Sequence, residues 1–273
     1  MSQTHHGLHL TDAGLSYADG KNALTGLNLR ITAGESVAII GPSGAGKTSL
    51  LHLLAGFLRP SSGQIELLGQ APWALSGGQR QRLRSQIGLI QQHPPLPGRQ
   101  RVITAVLAGK LGQWSTAKGL LSLLYPLDPA GAAAALGQLD LADKLYQRCD
   151  QLSGGQLQRV AIARVLYQQP RLILADEPVS AMDPVLAEHT LSMLNQYAQN
   201  NACTLVASLH AVDLALAHFN RVIGVRDGRI LFDQPSSSVS QENLAALYVN
   251  AQLQRSSAEP TAALPTLGQV PRC

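Results

Sequence analysis

Apolar residues along this chain collect into short runs, separated by glycine, proline and polar breaks. Leu8 to Tyr17 and Leu24 to Ile31 read as strands, split by the turn Ala18-Asp19-Gly20. Val37 to Ile40 is a brief apolar run that ends in glycine, the pattern of a buried strand feeding a loop. Thr48 to Phe57 reads as a helix closed by Arg59-Pro60-Ser61-Ser62-Gly63, and Gln64 to Leu68 and Ile87 to Gln91 read as strands. After the break Pro94-Pro95-Leu96-Pro97-Gly98 the character changes. Val102 to Leu111, Gly119 to Leu124 and Ala130 to Leu141 are helix-like and rich in Ala and Leu. No strand pattern occurs between Pro94 and Leu152, so residues 93 to 156 are expected to form an inserted helical subdomain.

Beyond the insert, Gly155 to Gln168 and Pro184 to Gln199 read as helices, the second with proline at its start. Leu172 to Ala175 and Thr204 to Ser208 read as buried strands, and Ala211 to Ala217 as a helix. Val222 to Arg226 and Arg229 to Phe232 make a hairpin around Asp227-Gly228. Strands that alternate with helices imply an α/β fold with a mainly parallel core sheet. The domain is expected to span residues 1 to 250. Residues 251 to 273, rich in Ser, Ala, Pro and Thr without a period, are expected to be a disordered tail.

Composition narrows the class. The 273 residues suffice for one large domain with a subdomain. Charged residues make up 14%, so much of the surface must rest on uncharged polar side chains. The net charge is +4 and the pI about 9.1, yet aromatics are only 4%. The one basic cluster, Arg80, Arg82 and Arg84, reads as a solvated face, and no nucleic-acid partner is expected. Cys149, Cys203 and Cys273 are far apart, which argues against a disulfide framework or a zinc site and fits a reducing compartment. No apolar run is long enough to span a membrane, and Met1 to His6 lacks the form of a secretion signal. A cytoplasmic protein is expected, with any membrane link made through a partner.

Three segments carry chemistry. Gly41-Pro42-Ser43-Gly44-Ala45-Gly46-Lys47-Thr48 fits G-x-x-x-x-G-K-[ST] in full, with a buried strand before it and a helix after it. The glycines let backbone N–H groups turn onto phosphates at a helix N-terminus. Lys47 supplies positive charge to the β- and γ-phosphates of ATP, and the Thr48 hydroxyl is suited to Mg²⁺. Leu172 to Glu177 is an apolar strand ending in two acids. Asp176 is placed to hold Mg²⁺ and its waters, and Glu177 to polarise the attacking water. Leu152-Ser153-Gly154-Gly155-Gln156 precedes a helix and offers a hydroxyl and open N–H groups. It could serve as a second anion site, but taken alone it reads better as a helix cap with Ser153 at its N-cap.

Together these motifs resemble the ATP-binding subunits of ABC transporters over residues 8 to 250. The resemblance makes Gly41 to Thr48 the Walker A loop, with Ser49 following it, and Leu172 to Asp176 Walker B, followed by the catalytic Glu177. It makes Ser153, Gly154, Gly155 and Gln156 the signature that faces ATP from a second copy. Ser180 to Asp183 resembles the D-loop, with Met182 where leucine is usual, and His210 the switch histidine. Gln92 resembles the Q-loop glutamine, which touches Mg²⁺ or the water, although Gln91 competes for that role. Tyr17 resembles the aromatic that stacks on adenine. The fold implied is a P-loop ABC-type ATPase with a mainly parallel core sheet, N-terminal antiparallel strands and the helical insert.

Leu75-Ser76-Gly77-Gly78-Gln79 also spells the signature, but it lies before Gln92 and lacks a following apolar helix. It is expected to be a loop and helix cap with no ATP role. Val106 to Gly112, Leu209 to Leu216 and Gly228 to Asp233 resemble phosphonate importer ATPases in particular. That likeness implies uptake of a phosphonate or related phosphorus oxyanion through an integral membrane permease fed by a periplasmic substrate-binding protein. The chain would then sit as a homodimer on the cytoplasmic face of the bacterial inner membrane. Two other classes stay open at this point. One is an accessory ATPase of a soluble phosphonate-degrading complex. The other is a DNA-repair or translation ATPase, which would usually carry a coiled-coil insert or a duplicated cassette.

Overall fold

A computed structural model describes residues 7–256. In chain order, β1 (Leu8–Ser16), β2 (Asn22–Ile31), β3 (Ser36–Ile40), α1 (Lys47–Leu54), β4 (Ser62–Leu67), α2 (Gly77–Arg84) and β5 (Ile87–Ile90) come first. Helices α3 (Val102–Leu107), α4 (Thr116–Leu124), α5 (Pro129–Gly137) and α6 (Gly154–Gln168) follow without an intervening strand. Then come β6 (Leu172–Asp176), α7 (Pro184–Asn200), β7 (Thr204–Ser208), α8 (Val212–His218), β8 (Arg221–Arg226), β9 (Arg229–Pro235) and α9 (Gln241–Ser256).

The main sheet has the order β5-β6-β7-β3-β8-β9 and is parallel except for β9. Strands β6 and β7 are buried at every position, as the interior of a sheet covered on both faces requires. Period-two alternation sorts their side chains. Val37, Ile39, Leu172 and Leu174 enter a core shared with α1, while Ala38, Ile40, Ile173 and Ala175 enter a core shared with α3, α5, α6 and α7. Each fully buried Leu or Ile contributes about 1.5–3 kcal/mol relative to exposure. A second, antiparallel sheet, β2-β1-β4, seals the α1 side through Leu8, Leu10, Leu27 and Ile65. Because β6, β7 and β3 are adjacent and parallel, the loops leaving their carboxyl ends share one edge, where ligands of open α/β sheets bind.

Residues 75 to 79 form the expected loop and helix cap, with Ser76 and Gln79 closing a capping box at the start of α2, a two-turn helix. Two expectations need correction. The helix expected from Val102 to Leu111 is α3 followed by a separate 3₁₀ turn at Ala108–Lys110. There Gly109 lies so close to α6 that a Cβ would stand 2.3 Å from the Arg164 carbonyl oxygen. The tail does not begin at 251, because α9 continues to Ser256. One face of α9 is anchored: Leu247 is fully buried, and Arg226 Nη1 donates to the Ala246 carbonyl. Its polar residues hide this in the sequence. The readings of Met1 to His6 and of residues 257–273 lie outside the described residues. Among the described residues no helix is long and apolar enough to cross a membrane.

Candidate nucleotide-binding site

The loop after β3 is shaped by glycine at two positions. A Cβ on Gly41 would lie 2.0 Å from the Val225 carbonyl oxygen. Gly46 caps α1 at φ 102°, where a Cβ would meet the Ala23 carbonyl oxygen at 2.8 Å. Between them the Ala45 N–H donates to the Pro42 carbonyl and closes a turn. Lys47 folds back inside this turn, with Nζ donating to the carbonyls of Gly41 at 2.7 Å and Pro42 at 3.1 Å. Burial lowers the pKa of Lys47, and the nearby Glu177 and Asp176 carboxylates oppose that shift.

The acids at the end of β6 have different environments. Asp176 is 5% exposed and its Oδ1 accepts from the Ser208 hydroxyl at 2.6 Å, at the end of β7. Glu177 adopts φ 48°, the left-handed region that side chains rarely enter. Its N–H is held by the carbonyl and hydroxyl of Ser208. Its carboxylate accepts from Gln92 Nε2 at 2.5 Å and meets His210 Nε2 at 2.5 Å. The chain thus joins the loops after β5, β6 and β7 at one carboxylate. Gln91 takes no part in this contact; its carbonyl accepts from Gln158 instead.

Ser43 to Ser49, Gln92, Glu177 and His210 line one cleft of about 740 Å³, with Tyr17 at its mouth. The Tyr17 hydroxyl pairs with Ser49 at 2.9 Å, and the residue is 40% exposed. Asp19, Lys21 and Asn22 in the β1–β2 turn, and Asp227 and Gly228 in the β8–β9 turn, also line the cleft. The sequence reading did not select these residues. The Asp-Gly pair was visible only as a hairpin turn. Its second role arises because the Gly228 N–H donates to Ala45 and the Gly228 carbonyl accepts from Thr25. Ser208 was likewise missed; the signal available was a hydroxyl ending an apolar strand beside the acid pair.

Eight expected site residues are not among those that line this cleft, including Gly41 and Pro42 at the start of the loop and Asp176 at the end of β6. Ser153, Gly154, Gly155 and Gln156 do not line the cleft. Ser153 caps α6 in a capping box with Gln156, and Gly155 packs so tightly on Ala181 that a Cβ would stand 2.9 Å from its carbonyl oxygen. Asp183 also stands off the cleft, capping α7 by accepting from the Leu186 N–H at 3.0 Å. Thr48, Gln92 and Asp176 together offer a hydroxyl, an amide and a carboxylate. This all-oxygen donor chemistry fits Mg²⁺, which keeps waters and takes phosphate oxygens. Among the described residues no group of three His, Cys, Asp or Glu could form a protein-only metal cage, and such a phosphate-assisted site requires none.

A phosphate loop and an acid pair set at the carboxyl edge of a parallel sheet define the class: a P-loop ATPase. Residues 24–180 match the ABC transporter family, and the chain belongs to that family and carries its ATP-hydrolysing activity. It is 65% identical over 266 residues to the phosphonates import ATP-binding protein PhnC of Pseudomonas fluorescens, covering 97% of this chain and 99% of that one. It is 64% identical to the phosphonates import ATP-binding protein PhnC 1 of Pseudomonas aeruginosa, with the same coverage. Its fold matches the dimeric post-hydrolysis state of an ATP-binding cassette bound to ADP and Pi, at TM-score 0.71 and 27% identity, covering 84% of this chain and 98% of that one.

Proposed function

We propose that this chain is the ATPase subunit of a phosphonate importer, working as a head-to-tail homodimer beneath an integral membrane permease. Near-full-length likeness to phosphonate import ATP-binding proteins carries this reading. It also favours the importer over a soluble degradative complex. The permease would be fed by a periplasmic substrate-binding protein, and the chain would bind peripherally at the cytoplasmic face of the inner membrane. Residues 93–156 are proposed as the helical subdomain that faces the permease.

ATP would enter with its adenine on Tyr17 and its phosphates along the Ser43–Ser49 backbone. Lys47 is then drawn from the Gly41 and Pro42 carbonyls toward the β- and γ-phosphates, a shift the flexible side chain permits. Thr48, Gln92 and Asp176 would hold Mg²⁺, which neutralises phosphate charge when bound. Glu177 would orient and polarise the attacking water, and His210, which meets its carboxylate, would stabilise the γ-phosphate. Ser153 to Gln156 of a second copy would close the site, since in one chain they stand outside the cleft.

Two measurements test this. Detergent extraction from membranes of the native host should co-purify the chain with an integral permease; recovery without one would remove the transport role. Glu177→Gln should retain ATP binding and lose turnover by about 10²–10⁴-fold, the range of general-base contributions; turnover near wild type would remove the assignment of Glu177.

A further inference from the structure

Gln158 is a polar side chain in a place that asks for an apolar one. It lies on α6 just beyond the signature residues, next to Val160 and Ile162, and is 0% exposed. Its Nε2 donates to the Gln91 carbonyl oxygen at 3.2 Å. Its Oε1 is buried and accepts from nothing. A leucine or methionine would fill similar volume and leave no dry Oε1, at the loss of one bond to the half-buried Gln91 carbonyl. The repeated motif supplies an internal control: Gln81 stands at the same register on α2, two residues after Gln79, and there it is exposed.

What Gln158 touches gives the buried amide a purpose. Gln91 directly precedes Gln92, whose side chain is on the Glu177 carboxylate. The helix that begins with Ser153 is therefore tied by one hydrogen bond to the loop that reaches the acid of the same chain. Under the proposed dimer, Ser153 serves the second copy's ATP while Gln92 serves its own.

We propose that Gln158 is a positioning residue that locks the Gln91–Gln92 loop to α6, so that movement of one carries the other. The unpaired Oε1 belongs to this role. An amide can rotate to exchange donor for acceptor, so a shifted loop can meet it with an N–H as well as with a carbonyl. The inference rests on the functional reading above only in assigning Gln92 and Ser153 to ATP.

The test uses the purified full chain and compares Gln158→Met, Gln92→Ala and the double variant. Gln158→Met should keep its melting temperature, or raise it, and bind ATP within about twofold of wild type while kcat falls about tenfold, the mark of a loss confined to the catalytic step. The double variant should be no slower than Gln92→Ala alone, because both losses run through the same loop. If Gln158→Met does not fold, Gln158→Leu serves in its place. A kcat within twofold of wild type, a loss fully matched by a lower melting temperature, or losses that multiply in the double variant would each overturn the proposal. Wild-type hydrolysis abolished by Glu177→Gln keeps the functional reading standing whichever result Gln158 gives.

Discussion

Glu177 shows how much one residue can depend on its neighbours. Its φ of 48° costs of order 1–3 kcal/mol, and two Ser208 contacts to its N–H offset that cost. The unusual backbone turns the side chain toward Gln92 and His210. Reading along the chain marks Glu177 as an acid after an apolar strand, and marks Lys47 and Thr48 by a fixed spacing. It does not mark the Gln92–Glu177–His210 junction, because those residues meet only when β5, β6 and β7 lie side by side. Gly41 is the opposite case, legible in type yet explained only by its contact. With Val225 2.0 Å from where a Cβ would sit, Gly41→Ala should destabilise the protein by about 1–3 kcal/mol through overpacking. It should also weaken ATP binding, because a backbone shift at Gly41 displaces the Ser43–Ser49 turn that lines the cleft. Thermal melting and nucleotide titration check both effects; unchanged values would show that the β8 strand yields freely.

At the scale of elements, the two copies of the five-residue signature make a natural comparison. Ser76 and Ser153 form the same capping box, each with a glutamine three residues on. The helices differ. Helix α6 buries Val160, Ile162 and Val165, whereas α2 buries only Leu83. Gly155 packs on Ala181, while Gly77 and Gly78 face open space. Ser76→Ala and Ser153→Ala should each cost about 1 kcal/mol of stability as lost N-caps. Only Ser153→Ala should also lower ATPase activity. Equal activity loss in the two variants would show that cap stability, rather than a contact with nucleotide, governs turnover. The choice between the copies was legible from the apolar stretch after Gln156. The helix α2 itself was not, because a charged, mostly exposed two-turn helix carries little apolar period. Helix α9 escaped for the same reason.

For the whole molecule, Ser153–Gln156 stand off the cleft of their own chain, so under the proposed dimer a single copy would be half of an active unit. Per-chain ATPase activity should therefore rise with chain concentration and level off as dimers saturate. An activity independent of dilution would mean that one chain suffices.

The sequence by itself determined the phosphate loop, the acid pair, the order of the strands and of most helices along the chain, and the family. Spacing rules and side-chain alternation are local, and they survive in one dimension. The tertiary structure alone decided which loops share the sheet edge and that Ser208 supports both acids. It alone revealed the Asp227–Gly228 turn as part of the cleft wall, and Gln158 as the tie beneath Gln91. Each of these rests on strand adjacency, because hydrogen bonding and steric contact act over a few ångströms of space, whatever the distance along the chain.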